Sequence, residues 1–112
     1  MAFYESVVIS RPELTVAQVE NLYKTLEEIL SKNSALIKKY EYWGLRNLAY
    51  KINKNKKAHY SMLNIDGKTD AIQEFERQMR LNQDIIRFLT IRINTIKDEP
   101  SILSSGNEKN DG

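Results

Sequence analysis

The spacing of apolar residues changes along the chain, and each spacing predicts an element. Residues 3–10 (FYESVVIS) are rich in β-branched and aromatic side chains and run into Arg11-Pro12, where proline cannot donate to a strand ladder. They predict a first strand. Thr15-Val16-Ala17-Gln18 has the form of a capping box, and Val16, Val19, Leu22, Tyr23, Leu26, Ile29 and Leu30 follow at intervals of three and four. This predicts an amphipathic helix ending near Lys32-Asn33. From Ser34 to Trp43 the pattern alternates, with Ile37, Lys39, Glu41 and Trp43 on one side and Leu36, Lys38, Tyr40 and Tyr42 on the other. A second strand follows from it, interrupted or bulged at Gly44. Residues 57–66 (KAHYSMLNID) predict a third strand, and residues 46–56 an exposed connection whose first part continues the pairing. Asp66-Gly67 marks the next turn. A second helix from Thr69 or Asp70 to Asn82 carries Ile72, Phe75, Met79 and Leu81 on its apolar face. Residues 85–93 (IIRFLTIRI) predict a last strand, with Ile85, Leu89, Ile91 and Ile93 on one face, interrupted there by Arg87, and Phe88 and Thr90 on the other.

The order is βαββαβ, two β-α-β halves, which is the α+β pattern of the ferredoxin-like fold. Right-handed crossovers place both helices on one face of a four-stranded antiparallel sheet. Residues 1–96 form this single domain, and residues 97–112, with Pro, Ser, Gly, Asn and acids, form a flexible polar tail. The face opposite the helices is expected to be uncovered, yet Val7-Val8-Ile9 and Met62-Leu63 leave neither face of their strands fully polar. An apolar uncovered face calls for a partner.

Composition narrows the classes. A chain of 112 residues suffices for one core without staples, and the absence of cysteine excludes a disulfide framework, a thiolate zinc site and a thiol nucleophile. It also suits a reducing compartment. The amino end lacks the basic-then-apolar order of a secretory signal, and no window approaches a membrane span, so a soluble intracellular protein is expected. The net charge of +2 is unevenly divided. Residues 1–37 carry −2, residues 38–57 carry +6, residues 58–96 are neutral and residues 97–112 carry −2.

For catalysis the inventory is thin. His59, the sole histidine, has no second histidine or cysteine to complete a metal or nucleophile site, and packing or surface exposure explains it. Glu74, Glu76 and Asp84 lie near Arg77, Arg80 and Arg87, where helix-surface ion pairs account for them. The four glycines form no phosphate-cradling loop. No catalytic residue, metal ligand, cofactor or small-molecule substrate is expected. Lys38, Lys39, Arg46, Lys51, Lys54, Lys56 and Lys57 instead form a cluster that suits phosphate, interleaved with Tyr40, Tyr42, Trp43, Tyr50 and Tyr60 as stacking candidates. The cations also fit a solvated face, and Trp43 with part of the tyrosine set fits a core. Arg77, Arg80 and Arg87 form a second basic group, which equally fits pairing with the neighbouring acids and with the carbonyl end of the helix.

Four segments together resemble the bacterial small-subunit ribosomal protein number six family, which also occurs in organelles. Tyr4-Glu5 precedes Pro12 and Leu14, and Trp43-Gly44-Leu45-Arg46-Asn47-Leu48-Ala49-Tyr50 is similar to the family's Gly-Arg-Leu-Ala-Tyr signature. Lys57-Ala58-His59-Tyr60 is similar to its third-strand entry. Glu74-Phe75-Glu76-Arg77, Arg80-Leu81-Asn82 and Ile86-Arg87 are similar to its second helix and return strand. Two positions depart: Lys51 stands where the family often has proline, and Ser34-Ala35 where a glycine commonly precedes the second strand.

The resemblance implies a structural component of the small ribosomal subunit. Such a protein binds the central domain of small-subunit ribosomal RNA with ribosomal protein eighteen, as a heterodimer, during platform assembly. It carries RNA contact onto Arg46, Tyr50, Arg80 and Arg87; Lys51, Lys54, Lys56 and Lys57 are candidates on local charge. A free-standing single-stranded RNA module of the same topology is the alternative, but strand three offers Tyr60 alone where such modules use a Gly-aromatic motif. Acyl-phosphate hydrolysis on this fold needs an anion-binding loop with adjacent Arg and Asn, which Arg11-Pro12-Glu13 does not provide.

Overall fold

The computed structural model describes residues 2–52 and 55–97, and of 49–52 and 55 the backbone alone. These residues form β1 (Ala2–Ser10), α1 (Val16–Lys32), β2 (Leu36–Ile52), β3 (Asn55–Gly67), α2 (Thr69–Leu81) and β4 (Ile85–Ile93). The strands make one antiparallel sheet in the order β2-β3-β1-β4, the ferredoxin-like arrangement. The pairing expected for the first part of 46–56 runs further than that, since β2 continues to Ile52 and β3 begins at Asn55, with a slip between Asn47 and Ile52. Arg46 pairs with Ala58, Asn47 with Lys57 and Ile52 with Asn55.

α1 begins where the capping box places it. The Thr15 hydroxyl accepts from the Gln18 amide at 3.1 Å, and the Gln18 side chain accepts from the Thr15 amide at 2.8 Å. It ends in a Schellman turn, with the Ala35 amide donating to Leu30 at 2.8 Å and the Ser34 amide to Ser31 at 3.1 Å. Ser34 sits at the left-handed position of that turn, φ 62°. The buried stripe of α1 is Val19, Leu22, Leu26 and Leu30, each contributing about 1.5–3 kcal/mol on burial. α2 buries Ala71, Ile72, Phe75 and Met79. Leu81, expected on the same stripe, is two positions beyond Met79, hence on the far side of the helix, and is exposed.

Irregularities in the ladders decide which side chains meet the helices. The register slips between Ile37 and Lys39, which sends Ile37, Tyr40 and Tyr42 to the core and Lys39, Glu41 and Trp43 to the opposite face. A single alternating phase for Ile37 through Trp43 does not hold for that reason. A second slip, between Tyr42 and Gly44, coincides with φ +94° at Gly44. In β4 a slip opposite Ile9 and Ser10 places Ile85 in the core, apart from Leu89 and Ile91.

The face away from the helices is only partly bare. It carries Val7 and Ile9 of β1, Tyr60, Met62 and Asn64 of β3, and Arg87, Leu89 and Ile91 of β4. Met62 and Asn64 are nonetheless buried. Lys39, Asn64, Glu5 and Ile91 form one row across the sheet, and the Lys39 ammonium donates to the carbonyl of Lys97 at 2.9 Å. Residues 94–97 therefore start at the β4 edge and return over this face to β2, a crossing of about 14 Å at the usual strand spacing. Lys97, assigned to the tail by sequence, has its carbonyl fixed; the rest of the expected tail, 98–112, lies outside the described residues.

Candidate nucleic-acid interface

β1 accompanies β3 only as far as Ser10 opposite His59. Beyond that row, β2 and β3 project as a two-stranded ribbon. A lone ribbon has little core of its own, so its sequence is free to be polar, and here it is cationic. Lys56 and Lys57 are exposed on it. Arg46 is half-buried, its guanidinium carbon 5.7 Å from the centroid of the Tyr60 ring. The ring shields one face of the guanidinium and leaves its edge for an acceptor. The side chains of Tyr50 and Lys51, and all of Lys54, lie outside the described residues.

The base of the ribbon is pinned by His59, which is buried. Its Nε2 donates to the Leu14 carbonyl at 2.7 Å, and its Nδ1 accepts from the Tyr42 hydroxyl at 2.7 Å. One side chain thus ties β3, β2 and the loop before α1 together. Its packing role is the one expected; its place as the joint of the ribbon is not visible in sequence, because both partners are distant along the chain.

Arg87 lies at the same end of the sheet. Its row runs through Ile9 and Tyr60 to Gly44, so it faces the same side as Tyr60 from the opposite edge. α2 ends at this end too: Asn82 and Ile85 turn the chain directly from α2 into β4, and Arg80 is exposed in the last helical turn. Arg46, Lys56, Lys57 and Arg87 are thus gathered at one end of the sheet, with Arg80 beside them in the helical layer. Among the described residues none of the five forms an ion pair with a carboxylate.

Arg77 does not join them. Its Nε and Nη2 donate to the two Glu74 oxygens at 2.8 Å each, and Gln78 adds a bond of 2.9 Å. These donors hold the Glu74 carboxyl well down, from 4.5 to about 2. Asp84 also turns away from Arg87, accepting from Arg11 Nε at 2.7 Å. Lys39, counted by charge among the phosphate candidates, is mostly buried between Glu41 at 3.5 Å and the Lys97 carbonyl. Its alternation with Glu41 was the available sign of this. Trp43 is buried, its indole N–H donating to Glu41 at 2.8 Å.

Among the described residues no group of three or more His, Cys, Asp or Glu is placed to hold a metal ion, and no helix is long and apolar enough to cross a membrane.

The family described as Ribosomal protein S6 matches residues 3–92. The small ribosomal subunit protein bS6 of Hyphomonas neptunium is 49% identical over 109 residues, covering 97% of each chain. That of Granulibacter bethesdensis is 49% identical over 105 residues, covering 94% of this chain and 68% of its own. The crystal structure of 30S ribosomal protein S6 from Thermotoga maritima superposes with a TM-score of 0.76 at 27% identity, covering 99% of this chain and 98% of its own. A structure from Arabidopsis thaliana at 9% identity and a TM-score of 0.51 shares the fold alone. The signature around Gly44–Tyr50, the βαββαβ order and these matches agree: the chain belongs to the ribosomal protein S6 family.

Proposed function

We propose that this chain is a structural, non-enzymatic component of the small ribosomal subunit in a bacterial-type cytoplasm. It binds the central domain of small-subunit ribosomal RNA together with ribosomal protein eighteen during platform assembly. The observation that carries the reading is the gathering of Arg46, Lys56, Lys57, Arg80 and Arg87 at one end of the sheet, without carboxylate partners among the described residues. Membership of a family whose relatives are small ribosomal subunit proteins supports it. The chemistry is neutralisation and positioning. Lysines and arginines displace counterions from phosphates, and RNA shape, more than base edges, supplies the selectivity. Tyr50, Lys51 and Lys54 join the reading on the sequence alone, with Tyr50 stacking on a base or bonding a sugar.

The protein partner takes the apolar strip toward β4, where Leu89 and Ile91 are 63% and 47% exposed. The test is sedimentation. The chain should travel with small subunits in a sucrose gradient, and alone it should bind a central-domain RNA fragment weakly and salt-sensitively, tightening when ribosomal protein eighteen is added. Absence from the subunit peak, or tight sequence-specific binding by the lone chain, overturns the reading.

A further inference from the structure

The strap 94–97 delivers the chain to a particular place. It leaves β4 at Ile93 and ends where Lys39 holds the Lys97 carbonyl, beside β2. β2 carries Lys38 and Arg46, and its partner strand carries Lys56 and Lys57. Residues 98–112 hold Asp98, Glu99, Glu108 and Asp111 against Lys109 alone, a net −3; residues 38–57 hold seven cations against Glu41, a net +6.

We propose that residues 98–112 dock on the basic ribbon of their own chain, through Lys38, Arg46, Lys56 and Lys57, and compete there with RNA phosphate. The competition rests on the RNA reading above; the docking does not. Reach permits it. Arg46 is seven residues along β2 from Lys39, about 23 Å, while the 11 residues from Lys97 to Glu108 span up to about 36–40 Å. Asp98 and Glu99 follow Lys97 directly in sequence, within a few residues' reach of Lys38, and the span to Glu108 and Asp111 is long enough for both acids to meet the ribbon. A single exposed ion pair is weak, but tethering makes each encounter intramolecular, so several weak pairs act together. Salt dismantles them, because the screening length falls to about 3 Å at 1 M.

The chain has no cysteine, so Ser105→Cys gives a unique site for a nitroxide in the full-length protein. At 50 mM salt the label should broaden the amides of residues 45–47 and 56–58 more than those of α2. The effect should vanish at 0.5 M salt and in the variant Asp98→Asn/Glu99→Gln/Glu108→Gln/Asp111→Asn. That variant, unlabelled, should bind a central-domain RNA fragment about three- to tenfold more tightly at 50 mM salt. A control with the same charge change elsewhere, Glu13→Gln/Glu20→Gln/Glu27→Gln/Glu28→Gln, should gain less. Broadening that is uniform, or confined to Leu89 and Ile91 as docking of Ile102-Leu103 would give, overturns the docking. Equal gains by the two variants overturn the competition. Broadening of the ribbon in a chain that binds no RNA overturns the proposed function and leaves the docking standing.

Discussion

His59 Nε2 lies 2.7 Å from the carbonyl oxygen of Leu14, 45 positions away in sequence. A carbonyl only accepts, so Nε2 carries the hydrogen, and Nδ1 is left to accept from Tyr42. Tyr42→Phe removes that donor and strands a buried ring nitrogen. The expected loss is about 1–3 kcal/mol in urea unfolding. Weakened RNA binding should accompany it only where the ribbon's angle to the sheet changes, which amide shifts at residues 45–47 and 56–58 would register.

Arg46 separates affinity from stability. Arg46→Ala should lower RNA affinity and reduce the salt-dependence slope by about 1, the signature of one lost phosphate contact. Folding stability should fall by only about 0.5–1 kcal/mol, the worth of a partly exposed guanidinium over the Tyr60 ring. An unchanged slope removes Arg46 from the phosphate contacts.

Ser34→Gly should stabilise the protein. Ser34 holds φ 62° at the end of α1, a conformation that costs a side-chain-bearing residue about 1–2 kcal/mol and glycine nothing. After glycine's larger chain entropy is subtracted, the net gain in urea unfolding should be about 0.5–1 kcal/mol. No gain would mean that Ser34 is unstrained there.

The Glu74–Arg77 pair sets a pH window. Because the folded carboxyl titrates at about 2 instead of 4.5, its contribution to stability is complete above about pH 4.5 and is lost as pH falls toward 2. Carboxyl-carbon NMR should place the Glu74 midpoint near 2, and Arg77→Gln should move it up toward 4.5. High salt should move it the same way, since the pair is solvent-accessible. A midpoint unaffected by Arg77→Gln assigns the shift to Gln78 instead.

Order and type of the elements were legible in sequence because they rest on local rules. The capping box, the three- and four-residue stripe of α1 and the β-branched run 85–93 each specify themselves within a few residues. The phase of β2 was not legible. A register slip between Ile37 and Lys39 is decided by how β3 and α1 close on the strand, and alternation alone cannot place it. The second basic group illustrates the same limit. Arg77, Arg80 and Arg87 are alike by composition, but Glu74 takes the first at 2.8 Å, while Asp84, the acid nearest Arg87 in sequence, turns to Arg11. Lys39 was read by charge as a phosphate contact, and its use as an internal latch depends on a carbonyl 58 positions away. The glycine missing at 34–35, a departure visible in sequence, marks the position where the structure holds a left-handed serine.

The strand order has a consequence for synthesis. β1 is made first but sits between β3 and β4, the latter completed only at residue 93. At about 5–20 residues per second, the 57 residues to the end of β3 take about 3–11 s and the 83 to the end of β4 about 4–17 s, so the alternating apolar strand first lacks both neighbours and then one. Co-translational folding of this chain is therefore end-loaded. Ribosome-stalled chains ending before Ile85 should remain open to protease at β1, and protection should appear in one step once β4 clears the exit tunnel.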